Sequence, residues 1–420
     1  MTEMWYNIYI EYKCSLSAAM EVINMNYLEE AKQLDSELKE IRRHIHSCPE
    51  AGKSLPATKV FVMDKLREYG YEPEEICESG VVAVLHGGQA PAGSKTILLR
   101  ADMDALAIKE EAPLEFASQN GFMHACGHDM HATMLLGAAK LLKTHENELR
   151  GNVKLVFQPD EEGFTGAKTM LAAGVLENPK VDVGMALHVN SGTPSGMFLC
   201  GLGTCMAGCT LFRIRVKGTG CHGAMPETGV DPINIAAHIY LSLQEIVARE
   251  IAPTSPVALT IGKFDGGKAP NIIPEEVVME GTIRTMDRDL SAKIYKRIEE
   301  ISTQTAALFR GAAEVTEMAS APPLLNDKEL VKEMAGYIKE ITDPSKVFIF
   351  EQGGMGSEDF ASYTYEIPCS YLLLGAGTAQ ENELYGKPMH NDHVVFNEDI
   401  MPLGSAALAT CATEWLNNNQ

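Results

Sequence analysis

The sequence predicts an α/β chain with a central, mostly parallel sheet and a smaller α+β unit inserted into it. Three observations carry this. Short apolar runs alternate with helical periods through the first half of the 420 residues. From about residue 205 the order changes to β-α-β-β-α-β, the split βαβ pattern of a ferredoxin-like sandwich. After about residue 320 the first rhythm returns, and strands alternating with helices indicate a parallel sheet.

The elements follow in order. A well-capped, charge-paired helix spans 26–46, and a second helical stretch covers 55–70. VVAVL (81–85) and TILLR (96–100) read as strands. The spacing of 130–146 predicts a helix, and NVKLVFQ (152–158) is a strand by its Val, Leu and Phe content. A short helix at 165–174 ends in Gly, and VDVGMALHV (181–189) is a buried strand. In the second unit, LFRIRVKG, 256–264, 275–286 and AAEVTEM are strands, with helices at 231–249 and 289–309. A helix at 327–341, VFIF, SYLLLG and a closing helix at about 398–416 complete the chain.

This gives four segments. Residues 1–25 form an N-terminal extension with no assigned role. Residues 26–204 and 319–420 form an α/β domain in two parts, and 205–318 form the smaller domain inserted into it. Ala321-Pro322-Pro323 is the expected return hinge.

The formal net charge of −22 argues against a phosphate-tracking or membrane-docking protein, so neither a nucleic-acid nor a membrane partner is expected. Ten cysteines in a long chain without a signal-like start read as free thiols or ligands. The expected compartment is the cytoplasm.

The densest polar cluster is His124-Ala-Cys126-Gly-His128-Asp129-Met-His131, at the start of a helix. Three imidazoles, a thiol and a carboxylate suit a transition cation. A polar helix start capped by Asp129 is the plainer reading. Gln158-Pro-Asp160-Glu161-Glu162-Gly163 follows a buried strand. Acidic runs are usually solvated, but the carboxyl ends of such strands build sites in open α/β sheets. Adjacent glutamates there can divide the work, one ligating and one moving a proton. Arg100-Ala-Asp102-Met-Asp104 again stands past an apolar strand, where an Asp can ligate, orient a ligating His or cap a turn. His188 ends another strand, and its plain reading is a structural histidine. Near the C-terminus either His390 or His393 is a candidate ligand.

In order along the chain come LRADMDAL, HACGHDMH, FQPDEEG, ALHV, the segment around GCHGAMP, APNIIP, GTIRT and GSEDF. This set resembles the amidohydrolase branch of the dinuclear metallopeptidases related to aminoacylase and carboxypeptidase. That branch includes hippurate hydrolase, auxin–amino-acid conjugate hydrolase and N-acetyldiaminopimelate deacetylase. The resemblance covers about 26–416.

It implies hydrolysis of small N-acyl amino acids with two divalent ions per subunit (Zn, Mn, Ni or Co). It implies Cys126, His128, Glu162, His188 and His390 as ligands and Glu161 as general base. Asp102 and Asp104 match the aspartates beneath the site. His222 matches a lid histidine that reaches the active site of a partner in a homodimer, and Asn271 and Arg284 match lid residues that hold substrate. The chain departs from the pattern at Cys221, where Gly is usual, at Asp160, where a small residue is usual, and after His390, where Asn391 and Asp392 stand.

Rival readings remain at this point. Cys126 with His128 as base would make a thiol nucleophile, though both compete for the same cation. The chain could be an exopeptidase of the same fold, or a non-catalytic metal- or thiol-binding protein. Cys200, Cys205 and Cys209 lack a standard iron–sulfur spacing and read as free thiols.

Overall fold

The computed structural model describes residues 26–91 and 93–419. The N-terminal extension read over 1–25 lies outside the described residues. Among them, no helix is long and apolar enough to cross a membrane.

The first helical period splits into α1 (Tyr27–Gln33) and α2 (Asp35–Ser47). Leu34, at φ −89° and ψ 0°, turns the chain between them. Helix α3 (Pro56–Glu68) leads into β1 (Glu74–Ile76), β2 (Gly80–His86) and β3 (Thr96–Asp102). Helix α4 (His128–Thr144), β4 (Asn152–Gln158), α5 (Gly166–Ala172), β5 (Val183–Asn190), β6 (Phe198–Gly201) and β7 (Gly203–Met206) follow.

The chain then builds the second unit. It comprises β8 (Gly208–Lys217), β9 (Cys221–His222), α6 (Pro232–Glu245), β10 (Val257–Gly266), β11 (Ile272–Ile273), β12 (Glu276–Thr285), α7 (Arg288–Leu308) and β13 (Ala312–Ala321). The return runs through β14 (Leu324–Asn326), α8 (Lys328–Ile341), β15 (Val347–Phe350), β16 (Cys369–Gly375) and α9 (Met401–Asn418).

The large sheet has the order β1-β2-β4-β3-β5-β16-β6-β15. Its centre, β4-β3-β5-β16, is parallel. The pairs β1–β2, β2–β4 and β16–β6 are antiparallel. The central strands are buried on both faces, and their side chains alternate between two cores. Ile97, Leu99, Val153, Leu155, Met185 and Leu187 join one cluster with α4 and α9. Leu98, Val156, Ala186 and Tyr371 join the other, with α5 and the 3-10 segment Asp359–Tyr365. Two-sided burial explains the near-continuous apolar runs in these strands.

The second unit is a four-stranded antiparallel sheet of order β10-β12-β8-β13. Helices α6 and α7 cover it, with Phe212, Ile214, Val216, Ile239 and Ile298 in its separate core. Antiparallel order with two crossing helices is the ferredoxin-like arrangement expected from the sequence. The small ribbon β14–β7 stands where the chain enters and leaves this unit.

Candidate metal centre

Because β4, β3 and β5 are parallel, Asp102, Gln158 and Asn190 end on one edge, and open α/β sheets form their crevices there. His188 projects near the end of β5. Glu161 and Glu162 occupy the turn after β4. Cys126 and His128 flank Gly127 at the start of α4. Gly127 has φ 87°, and a Cβ there would stand 2.3 Å from Val189 Cγ2. Only glycine allows both that left-handed turn and that approach. His390 enters from the C-terminal loop with φ 64°, its amide N–H donating to the Ala125 carbonyl at 2.9 Å.

The five expected ligands converge. Donor atoms of Cys126, His128 and His188 lie within 4.8 Å of one another, and so do those of Cys126, Glu162 and His390. Cys126 belongs to both trios. Its Sγ is 3.5 Å from His188 Nε2, and His390 Nε2 is 3.3 Å from Glu162 Oε1. His393 instead pairs with Asp392 at 2.7 Å on the surface, so His390 is the late histidine that reaches this group.

The surroundings prepare these groups as donors. His188 Nδ1 donates to the Val189 carbonyl at 2.6 Å, which turns Nε2 toward Cys126. Burial, then the neighbouring His131, holds the His188 pKa well below its ordinary value, so the ring is neutral. His131 itself is committed elsewhere: Nδ1 meets Asp102 Oδ1 at 2.5 Å and Nε2 accepts the Val189 amide at 2.8 Å. Asp104 accepts the amides of Glu161 and Glu162 at 3.0 and 3.1 Å and stands 3.4 Å from His128 Nδ1. Both His128 nitrogens and Glu162 Oε1 are buried without a hydrogen bond among the described residues. A thiol, imidazoles and a carboxylate, with buried donor atoms left unmet, fit divalent transition cations.

The two glutamates differ in charge state. Burial, then Glu358, Glu162 and Asp359, pushes the Glu161 carboxyl well above the usual range. Burial also opposes charge on Glu162, but the His390 and His128 imidazoles overcome it and hold that carboxyl below the usual range. Neighbouring carboxylates pushed apart in this way are suited to different tasks.

The sequence reading assigned no role to Glu358 and Asp359, which stand behind Glu161. Arg100, buried within its strand, meets Asp102 at 2.5 Å, Glu358 at 3.0 Å and Asp359 at 2.9 Å. Tyr371 donates to Glu358 at 3.0 Å, and the Asp359 amide donates to Glu161 Oε1 at 3.2 Å. An arginine inside an apolar run and the adjacent acids of GSEDF were the available signals. A second buried group ties Asp129 to Arg42 at 2.7 Å and His46 at 2.8 Å, so Asp129 does not cap α4. Burial pushes His124 down to about 3, which keeps it neutral. Asp160 turns its carboxylate back onto Thr165.

The remaining candidates lie on or beside the second unit. His222 is exposed on β9 and pairs in register with Ile272, next to Asn271. No hydrogen bond or ion pair joins His222 or Asn271 to the cluster among the described residues. Cys221 fits because Gly229 faces it, where a Cβ would stand 2.5 Å from its sulfur. Arg284 donates to the Met355 carbonyl at 3.1 Å and Ser357 Oγ at 3.0 Å, beside the Glu358 segment. Cys200, Cys205 and Cys209 are buried free thiols.

A parallel sheet with a thiol, imidazole and carboxylate cluster at its C-terminal edge defines a metallohydrolase-type site. Residues 98–414 match peptidase family M20/M25/M40, and the chain belongs to this family. It is 39% identical over 385 residues to IAA-amino acid hydrolase ILR1-like 4 of Arabidopsis thaliana, covering 90% of this chain and 85% of that protein. It is 34% identical over 394 residues to hippurate hydrolase of Campylobacter jejuni, covering 93% of this chain and 100% of that one. The crystal structure of a dinuclear metal-binding M20-family peptidase from Bacillus subtilis superposes with a TM-score of 0.74 at 28% identity, over 92% of this chain and 99% of that one.

Proposed function

We propose that the chain is a metal-dependent amidohydrolase that cuts the amide bond of small N-acyl amino acids. The observation that carries this is the pair of donor trios sharing Cys126, with Glu161 alongside, its Oε2 3.8 Å from His128 Nε2. Cys126, His128, Glu162, His188 and His390 would hold two divalent ions, with zinc, manganese, nickel and cobalt all compatible with the donors. When bound, such ions act as Lewis acids toward water and a carbonyl oxygen.

The chain's own groups supply the rest. Glu161 takes a proton from the attacking water and hands it to the leaving amine. Asp359 and the Arg100 group hold its carboxylate in place. Asp104 sets the spacing of Glu161 from Glu162, and Asp102 fixes His131 beneath them. His222 polarises the scissile carbonyl of a partner's substrate in a homodimer formed through residues 205–318, the lid between the catalytic segments 26–204 and 319–420. Asn271, beside His222, and Arg284, on the Met355–Ser357 segment, hold the substrate. The buried free thiols suit a reducing compartment, and we place the protein in the cytoplasm.

The experiment compares wild type with Glu161→Gln on N-acetyl amino acids, hippurate and dipeptides. The variant is expected to keep its metal and lose turnover. Equal turnover in both would remove Glu161 from the reaction. Preference for dipeptides would make the chain an exopeptidase instead.

A further inference from the structure

Where the chain returns through Ala321 and Pro323, a cleft of about 510 Å³ lies between the two units. That size suits a small molecule. No member of the Cys126 group lines it. Lys168, Ser362 and Glu366 face it from the large-sheet side, and Arg288 and Glu317 from the four-stranded side.

The polar groups here are under-used. Arg288 makes no hydrogen bond or ion pair among the described residues, and its guanidinium carbon lies 4.9 Å over the Tyr365 ring. Lys168 donates to the Ser320 hydroxyl at 2.8 Å, and that hydroxyl donates to Glu317 at 2.6 Å. Glu366 has no cation within ion-pair distance among the described residues. Ser362 is 8% exposed, lines the cleft, and its Oγ has no hydrogen-bond partner.

We propose that this cleft binds a free α-amino acid. Two cations and two carboxylates face one space, so a simple anion meets two acids and a simple cation meets two bases. A zwitterion meets both. Its carboxylate lies toward Arg288 and Lys168, and its ammonium toward Glu317 and Glu366. Leu171 and Pro323 line the same cleft and offer an apolar wall to the side chain. The amino acid released when an N-acyl amino acid is hydrolysed is such a zwitterion, although binding here does not depend on the hydrolase reading. The cleft also adjoins the catalytic glutamate's support: Ala167, next to Lys168, donates its amide to Asp359 at 2.8 Å.

Isothermal titration of the metal-loaded full chain tests this, using L-leucine, L-phenylalanine, L-leucinamide and 4-methylpentanoate. Saturable binding of at least one amino acid is expected. L-leucinamide lacks the carboxylate and 4-methylpentanoate lacks the ammonium, so each is expected to bind about tenfold more weakly than L-leucine or not at all. Arg288→Ala and Lys168→Ala are each expected to weaken amino-acid binding about tenfold with metal content unchanged. No saturable binding of either amino acid overturns the proposal. So does an isotherm unchanged in both Arg288→Ala and Lys168→Ala, which would locate the amino acid at the metal centre.

Discussion

Replacing Asp104 with Asn tests whether one buried carboxylate sets the stance of both site glutamates. Asp104 is 1% exposed, and its two oxygens separately accept the Glu161 and Glu162 amides. Asn keeps one acceptor oxygen and turns an NH2 toward the other amide. A hydrogen bond to a charged group contributes about 1.5–3 kcal/mol, and a buried N–H left facing a donor adds to the loss. Together these predict destabilisation of about 3 kcal/mol, or roughly two orders of magnitude in an equilibrium constant at 1.4 kcal/mol per decade. His128 also loses its nearby negative charge, so metal affinity is expected to fall about 10–100-fold. Metal retained after dialysis against graded chelator, measured by mass spectrometry, reads the second effect. Urea unfolding of the metal-free protein reads the first. An Asp104→Asn protein that matches wild type in both would refute the reasoning.

Three further outcomes follow from the geometry. Burial raises the Cys126 thiol, and Cys126 and Glu162 raise His390 to about 10, so both hold protons at neutral pH in the metal-free chain. Cations need the thiolate and neutral imidazoles, so uptake should release protons and affinity should rise with pH. Calorimetry in two buffers of different ionisation heat measures this, and zero release would contradict it. Gly166→Ala would place a Cβ 1.8 Å from the Pro159 carbonyl oxygen, and a loss above about 4 kcal/mol in urea unfolding is expected. A modest loss would mean that the turn after β4 yields more than its packing suggests. His222→Ala should reduce kcat by about 10²–10³-fold with metal content and melting temperature unchanged, because the residue is exposed and its proposed role is electrostatic. Full activity would exclude it.

The sequence exposed what local pattern encodes. Strands β3, β4 and β5 were legible because burial on both faces demands unbroken apolar runs. Of the proposed ligands, Glu162 and His188 were legible because they sit at the ends of such runs, and Cys126 and His128 because a dense polar cluster opens α4. Strands β9, β11 and β14, two or three residues long, are too short to show any period. The antiparallel edges of the large sheet leave no trace in composition, since pairing direction is decided by distant partners. Glu358 and Asp359 escaped for the same reason: they meet Arg100 across more than 250 residues of chain. The end of the helix read over 231–249 also differs, since Ile246–Glu250 winds as a π-helix without a proline or glycine to announce it.

The sharing of Cys126 by both trios removes redundancy. Damage to most donors would cripple one position and spare the other, whereas oxidation of this sulfur would disable both at once. At 8% exposure the thiol is sheltered. Bound cations would leave less of that sulfur open to an oxidant. Resistance to peroxide and the state of metal loading should therefore rise and fall together.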